Sequence, residues 1–317
     1  MSALNIAEEM NIAAPERADS LTTHPTRPFL WSIRRELWEN PSILFAPAAV
    51  ACFIVLATLF AAVRYFGQIL SQMEINRFPP SMFAAAPLLT IPRWLGITMV
   101  GVAIFYSLDA LYSERRDRSI LFWKSLPVSD TTTVLSKVAV SMVLIPIVMF
   151  IVAIVAEILI FLIESIAFRT HHIPLSSAWA GLHVFSLVGA LPYHLTVVTL
   201  WYAPIYAWLL LVSAWARRAP LLWAVIPFFV FSIFERIAFH TNYMLDFIKD
   251  RVAGVFQVAY TRNYSAHNVD PRIRVQYHYP EWSPGHLLAT PALWLGLLFA
   301  ALALILIIRL RRSSDPI

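Results

Sequence analysis

Residues 134–163 read VLSKVAVSMVLIPIVMFIVAIVAEILIFLI, a run in which Lys137 and Glu157 are the only charged side chains. About 20 apolar residues in an α-helix cross a hydrocarbon core of roughly 30 Å, at 1.5 Å per residue. This run is long enough to cross and to project beyond. Only a helix satisfies its own backbone within one crossing segment, and the period-2 alternation of a barrel strand is absent.

Working outward from that run, five further apolar segments are long enough to cross. The predicted spans are about 43–63, 94–112, 134–163, 195–216, 219–239 and 287–308. The fold class is therefore all-α, a polytopic membrane protein with six transmembrane helices. Composition agrees: 59% of the chain is hydrophobic and 14% is charged, against about 25% charged in soluble domains. The apolar piece 179–192 is about 14 residues, which favours an interfacial or re-entrant segment over a seventh span.

Basic residues decide the count. Arg34 and Arg35 precede the first span; Arg115, Arg116, Arg118 and Lys124 follow the second. Arg217 and Arg218 separate the fourth from the fifth, and Arg309, Arg311 and Arg312 end the sixth. Six crossings put all four clusters on one side, which the positive-inside rule makes cytoplasmic. Both termini are then expected inside. Residues 1–28 read as a disordered cytoplasmic tail with no secretory signal, 29–312 as a single transmembrane domain, and 313–317 as a second, cytoplasmic tail. The net charge of +5 is spent on orientation, so no nucleic-acid partner is expected. Membrane lipid is the surrounding partner.

The loop between the second and third spans is the most informative: Glu114-Arg-Arg-Asp-Arg-Ser-Ile-Leu-Phe-Trp-Lys-Ser-Leu-Pro-Val-Ser129. Charges come first, then an apolar set containing Leu121, Phe122, Trp123 and Leu126. Pro127 disfavours helix at Leu126, and Ser129 or Asp130 can cap the next helix. The pattern predicts a short amphipathic helix. It serves either to dock a soluble partner or to lie among lipid headgroups.

This string, followed by Lys137, resembles the loop after the second helix of ABC-2 family permeases. The stretch Phe29-Leu-Trp-Ser-Ile-Arg-Arg-Glu-Leu-Trp-Glu-Asn-Pro41 is similar to their cytoplasmic N-terminal interface helix. The resemblance implies a transmembrane permease subunit of an ATP-driven exporter, in the plasma (bacterial inner) membrane. It implies pairing with a second permease subunit, identical or similar, and docking of ABC ATPase subunits. The expected docking residues are Glu114, Arg115, Arg116, Arg118, Leu121, Phe122, Trp123 and Leu126, with Arg34 and Arg35 of the interface helix. The loop is the expected coupling helix. ATP and Mg would be bound by the partner ATPase, with no cofactor in this chain.

No catalytic residue or metal site is expected here. A phosphate-binding loop needs G-x-x-x-x-G-K-[ST], whereas Gly96 and Gly101 are followed by Val102-Ala103 and read as helix-packing glycines. His171, His172, His183 and His194 show no metal-ligand spacing. The lone cysteine, Cys52, cannot form an internal disulfide.

Glu157 and Glu164 lie two turns apart on one helix face. Acids at membrane depth face a cavity or a partner, so these two are the translocation-path candidates. They also carry the alternative reading, a self-contained secondary transporter or membrane enzyme using intramembrane carboxylates. Before the last span, 243–260 has Met244, Phe247, Ile248, Val252, Val255, Phe256 and Ala259 at helical spacing, predicting an external surface helix. Trp94, Trp201, Trp282 and Trp294 fit interfacial belts.

Overall fold

The structure, a computed structural model, describes residues 28–76, 80–117, 129–179, 184–255, 260–261, 281–282 and 284–313. Helix α1 (Pro28–Glu39) leads through Asn40 and Pro41 into α2 (Ser42–Arg64), the first span. Short α3 (Phe66–Asn76) precedes α4 (Pro80–Asp109), which carries the second span. A turn then starts α5 (Tyr112–Arg116).

The third span is composite. Ser129 caps α6 (Asp130–Ala139), its Oγ accepting from the Thr132 amide at 3.1 Å, as Ser and Asp at this boundary predict. One π-helical turn, Val140–Leu144, follows, then α7 (Ile145–Thr170). Pro146 has no N–H to give, and the wider turn sits directly before it. The buried positions of α7 are Ile145, Met149, Ala153, Ala156, Glu157, Ile160, Glu164, Ala167 and Phe168. They recur every three or four residues, the stripe of a helix with one inward face.

After α8 (Leu175–Ala178), α9 (Val184–Trp215) forms the fourth span. Residues 180–183 of the apolar piece 179–192 lie outside the described residues. From Val184 onward it is the first two turns of the fourth-span helix, which continues through Pro192. Ending at Trp215, that helix is followed by α10 (Pro220–Phe239), α11 (Tyr243–Ala253), a two-residue antiparallel pair of β1 (Tyr260–Thr261) and β2 (Glu281–Trp282), α12 (Pro284–Ala289) and α13 (Pro291–Ser313).

Among the described residues, six helices are long and apolar enough to cross a membrane. The fourth is central: 67% of its apolar window is buried, and it packs on α4, α7, α10 and α13. The fifth, α10, is outermost, with 11% buried. The large exposed side chains of α2, α10 and α13, such as Phe53, Phe229 and Leu295, suit lipid rather than water. Hydrocarbon satisfies them, so no hydrophobic penalty follows.

Gly96 packs as a close-approach glycine, since a Cβ there would lie 3.3 Å from His194 Nε2. Gly101 has open space around it.

Candidate functional site: an ion cluster at one end of the bundle

Four chain segments meet at the end of the bundle that carries both described termini. They are α1, the second span's continuation α5, the start of the third span α6, and the end of α13. Each brings charge. Lys137 Nζ lies 2.8 Å from Glu36 Oε1 and 3.1 Å from Glu114 Oε1. Arg35 Nη2 donates to Glu36 Oε1 at 2.8 Å and Glu114 Oε1 at 2.9 Å. Arg311 donates through Nη1 to Glu114 Oε2 at 2.7 Å and through Nε to Asp130 Oδ1 at 3.1 Å. The Tyr106 hydroxyl donates to Glu36 Oε2 at 2.9 Å.

The three cations Arg35, Lys137 and Arg311 thus face four carboxylates: Glu36, Glu114 and Asp130, with Glu39 on the Arg35 Nε at 3.3 Å. Glu36, Glu114, Lys137 and Arg311 are all buried. Ions taken out of water persist only when paired and hydrogen-bonded, and here each carboxylate oxygen of Glu36 and Glu114 has a donor. Burial alone would lower the pKa of Arg35. The carboxylates of Glu36, Glu114 and Glu39 more than offset this and hold it above its ordinary value.

Beside this cluster, Arg115 closes the end of the fourth span. Its Nη2 donates to the carbonyls of Ser213 and Ala216, both at 2.7 Å, two of the acceptors a helix C-terminus leaves open. Ser213 Oγ in turn accepts from the amides of Leu111 and Tyr112 at 3.0 and 2.9 Å. The ends of the second and fourth spans therefore lie side by side, so the chain crosses an even number of times between them.

The docking residues expected from sequence divide. Arg35, Glu114 and Arg115 are turned into intramolecular contacts. Arg34 is exposed, its guanidinium 5.5 Å from the Trp31 ring and 5.6 Å from the Trp38 ring, and Arg116 is exposed with Asp117 at 3.0 Å. Arg118, Leu121, Phe122, Trp123 and Leu126 lie outside the described residues. Glu36, Tyr106, Asp130 and Arg311 were not singled out as site residues from sequence. A lysine at the head of the most apolar run demands a counter-charge, and that signal points to them.

Glu157 and Glu164 are both on the buried stripe of α7. Glu157 Oε2 and both oxygens of Glu164 have no hydrogen-bond partner among the described residues.

At the opposite end, Glu235 folds the chain back. It accepts from Thr241 Oγ1 at 2.7 Å and from the amides of Tyr243 and Met244 at 2.6 and 2.8 Å. That caps α11 from the preceding helix. The other end of α11 is caught by Trp201, whose Nε1 donates to the Arg251 carbonyl at 2.8 Å, and by the Tyr202 hydroxyl on the Val252 carbonyl at 2.5 Å.

These polar ends set the helix's rotation, so its apolar face is not simply inward. Phe247 and Val252 are exposed, Val255 is buried, and Arg251 is buried with its guanidinium 4.5 Å over the Trp201 ring. Phe256 and Ala259 fall outside the described residues. Burial lowers the pKa of Arg251 below the usual arginine value. Trp201 is accordingly a core residue and not part of an interfacial belt: its indole N–H needs an acceptor, and α11 supplies one. Trp94 and Trp294 are exposed.

Gly296 gives Arg251 its room, since a Cβ there would collide with Arg251 Nη2. Gly296 precedes Arg311 by fifteen residues, roughly 22 Å along α13, so Arg251 sits well away from the charged end.

In comparison with known proteins, the chain matches no family model, no curated protein and no solved structure.

Proposed function

We propose that this chain is the membrane-spanning permease subunit of an ATP-driven exporter of the ABC-2 type, working with a separate ATPase and a second permease subunit. The observation that carries this reading is the ion cluster. It ties α1, α5, α6 and the end of α13 into one block at the two roots of the 118–128 loop. A force applied to that loop by a closing ATPase pair would act on the first, second, third and sixth spans together. An amphipathic loop with Phe122 and Trp123 at its centre is suited to seat in a groove of such a partner. In this reading the charged end is cytoplasmic, which agrees with its arginines.

The test is affinity purification of the tagged chain from its own membranes. The wild type brings down an ATPase subunit. Phe122→Asp with Trp123→Asp loses it while the permease stays folded by size-exclusion chromatography. An ATPase that remains bound removes the loop as the dock.

A second reading rests on Glu157 and Glu164. Buried-face carboxyls, without a partner among the described residues at Glu157 Oε2 and both Glu164 oxygens, suit proton-coupled transport by the chain alone. Proteoliposomes holding only this chain distinguish the two readings, since only the second expects uptake driven by a proton gradient without ATP.

A further inference from the structure

Near the charged end, α9, α10 and the end of α13 enclose an apolar groove of about 360 Å³, lined by Trp208, Trp215, Trp223, Pro227 and Leu310 among others. Its walls are held in place. Trp208 Nε1 donates to the Ala224 carbonyl at 3.2 Å, which ties the fourth span to the fifth. Trp215 and Trp223 meet edge to face, 5.1 Å between ring centroids. The groove faces outward from the bundle beside α10, the span with least burial in the protein. Acyl chains are what such a surface meets in a bilayer.

The mouth is basic. Trp215 is followed by Ala216 and then by Arg217 and Arg218, both exposed and with no ion pair among the described residues. Ala219 then adopts φ 47°, ψ 62°, a left-handed conformation costly for a residue with a Cβ. That turn reverses the chain at once into Pro220 and keeps the two arginines at the groove's end. Arginine matches phosphate oxygens in pairs, and basic residues at the rim of an inter-helix groove are the charge complement of an anionic headgroup.

We propose that this groove is a fixed binding site for one anionic phospholipid, with an acyl chain against Trp208, Trp215 and Trp223 and the phosphate on Arg217 and Arg218. The assignment needs only that the chain spans a bilayer and does not depend on the exporter reading.

The test is native mass spectrometry of the full chain in detergent, titrated with dioleoylphosphatidylglycerol or dioleoylphosphatidylcholine. One phosphatidylglycerol binds ahead of the rest, and phosphatidylcholine does not compete for it. Arg217→Gln with Arg218→Gln weakens that first binding by about 30-fold, two arginines at roughly a kilocalorie each, with the melting temperature in phosphatidylcholine unchanged.

Equal binding of the two lipids, or a double variant that binds phosphatidylglycerol like the wild type, overturns the proposal. So does disulfide cross-linking of Trp223→Cys between two copies in a Cys52→Ser background, which would show a second chain covering the groove.

Discussion

Lys137 and Glu36 are 101 residues apart in the chain, yet their side chains meet at 2.8 Å with both buried. Lys137 would otherwise be a bare ammonium at the head of an apolar helix. Lys137→Met leaves Glu36 and Glu114 short of a donor in a dry site and is expected to destabilise the protein by about 3–5 kcal/mol, the range for breaking a buried pair. Thermal unfolding in detergent checks it. Pairing Lys137→Met with Glu36→Gln should recover part of the loss, and simple additivity would show that the two groups are not coupled.

Tyr106→Phe removes one neutral donor from the Glu36 carboxylate and nothing else of size. A hydrogen bond to a charged acceptor is worth about 1.5–3 kcal/mol, so the loss should be smaller than for Lys137→Met. A variant as stable as the wild type would mean that the bond carries no weight.

Much of this architecture was legible before any coordinates. The apolar runs were enough for six membrane-length helices, because the bilayer sets the length each must have. The Ser129 cap was legible because it is local. The partners of Lys137 were not, since Glu36, Glu114 and Arg311 come together only when four chain segments pack. Glu114 and Arg115 belonged to a string read as a docking surface, and periodicity over so short a segment cannot say which charges turn inward. The rotation of α11 was hidden for a similar reason. Its apolar spacing suggested one face, while Glu235, Trp201 and Tyr202, all on other helices, hold it by its polar ends.

Gly296→Ala places a methyl against the Arg251 guanidinium and 3.1 Å from Pro204 Cγ. It should destabilise the protein by about 1–3 kcal/mol, as overpacking does. Arg251→Ala in the same chain should relieve most of that clash, so the double variant should be closer to Arg251→Ala alone than additivity allows. Unfolding temperatures of the four proteins decide it.

Glu164→Leu replaces a buried carboxyl that has no hydrogen-bond partner among the described residues. Removing an unsatisfied polar group of this kind should leave the fold as stable or raise stability by about 1–3 kcal/mol. If Glu164 lines the path, export falls while the melting temperature holds or rises. A large loss of stability would mean that the carboxyl has a structural partner.

Site-specific cross-linking at position 123 tests the coupling account most directly. With Cys52→Ser and Trp123→Cys in the full chain, a bifunctional thiol-to-amine reagent in native membranes should join this chain to the proposed ATPase subunit, and ATP should change the yield. Labelling of that cysteine by a membrane-impermeant maleimide added outside intact cells, with no ATPase cross-link, would contradict the account.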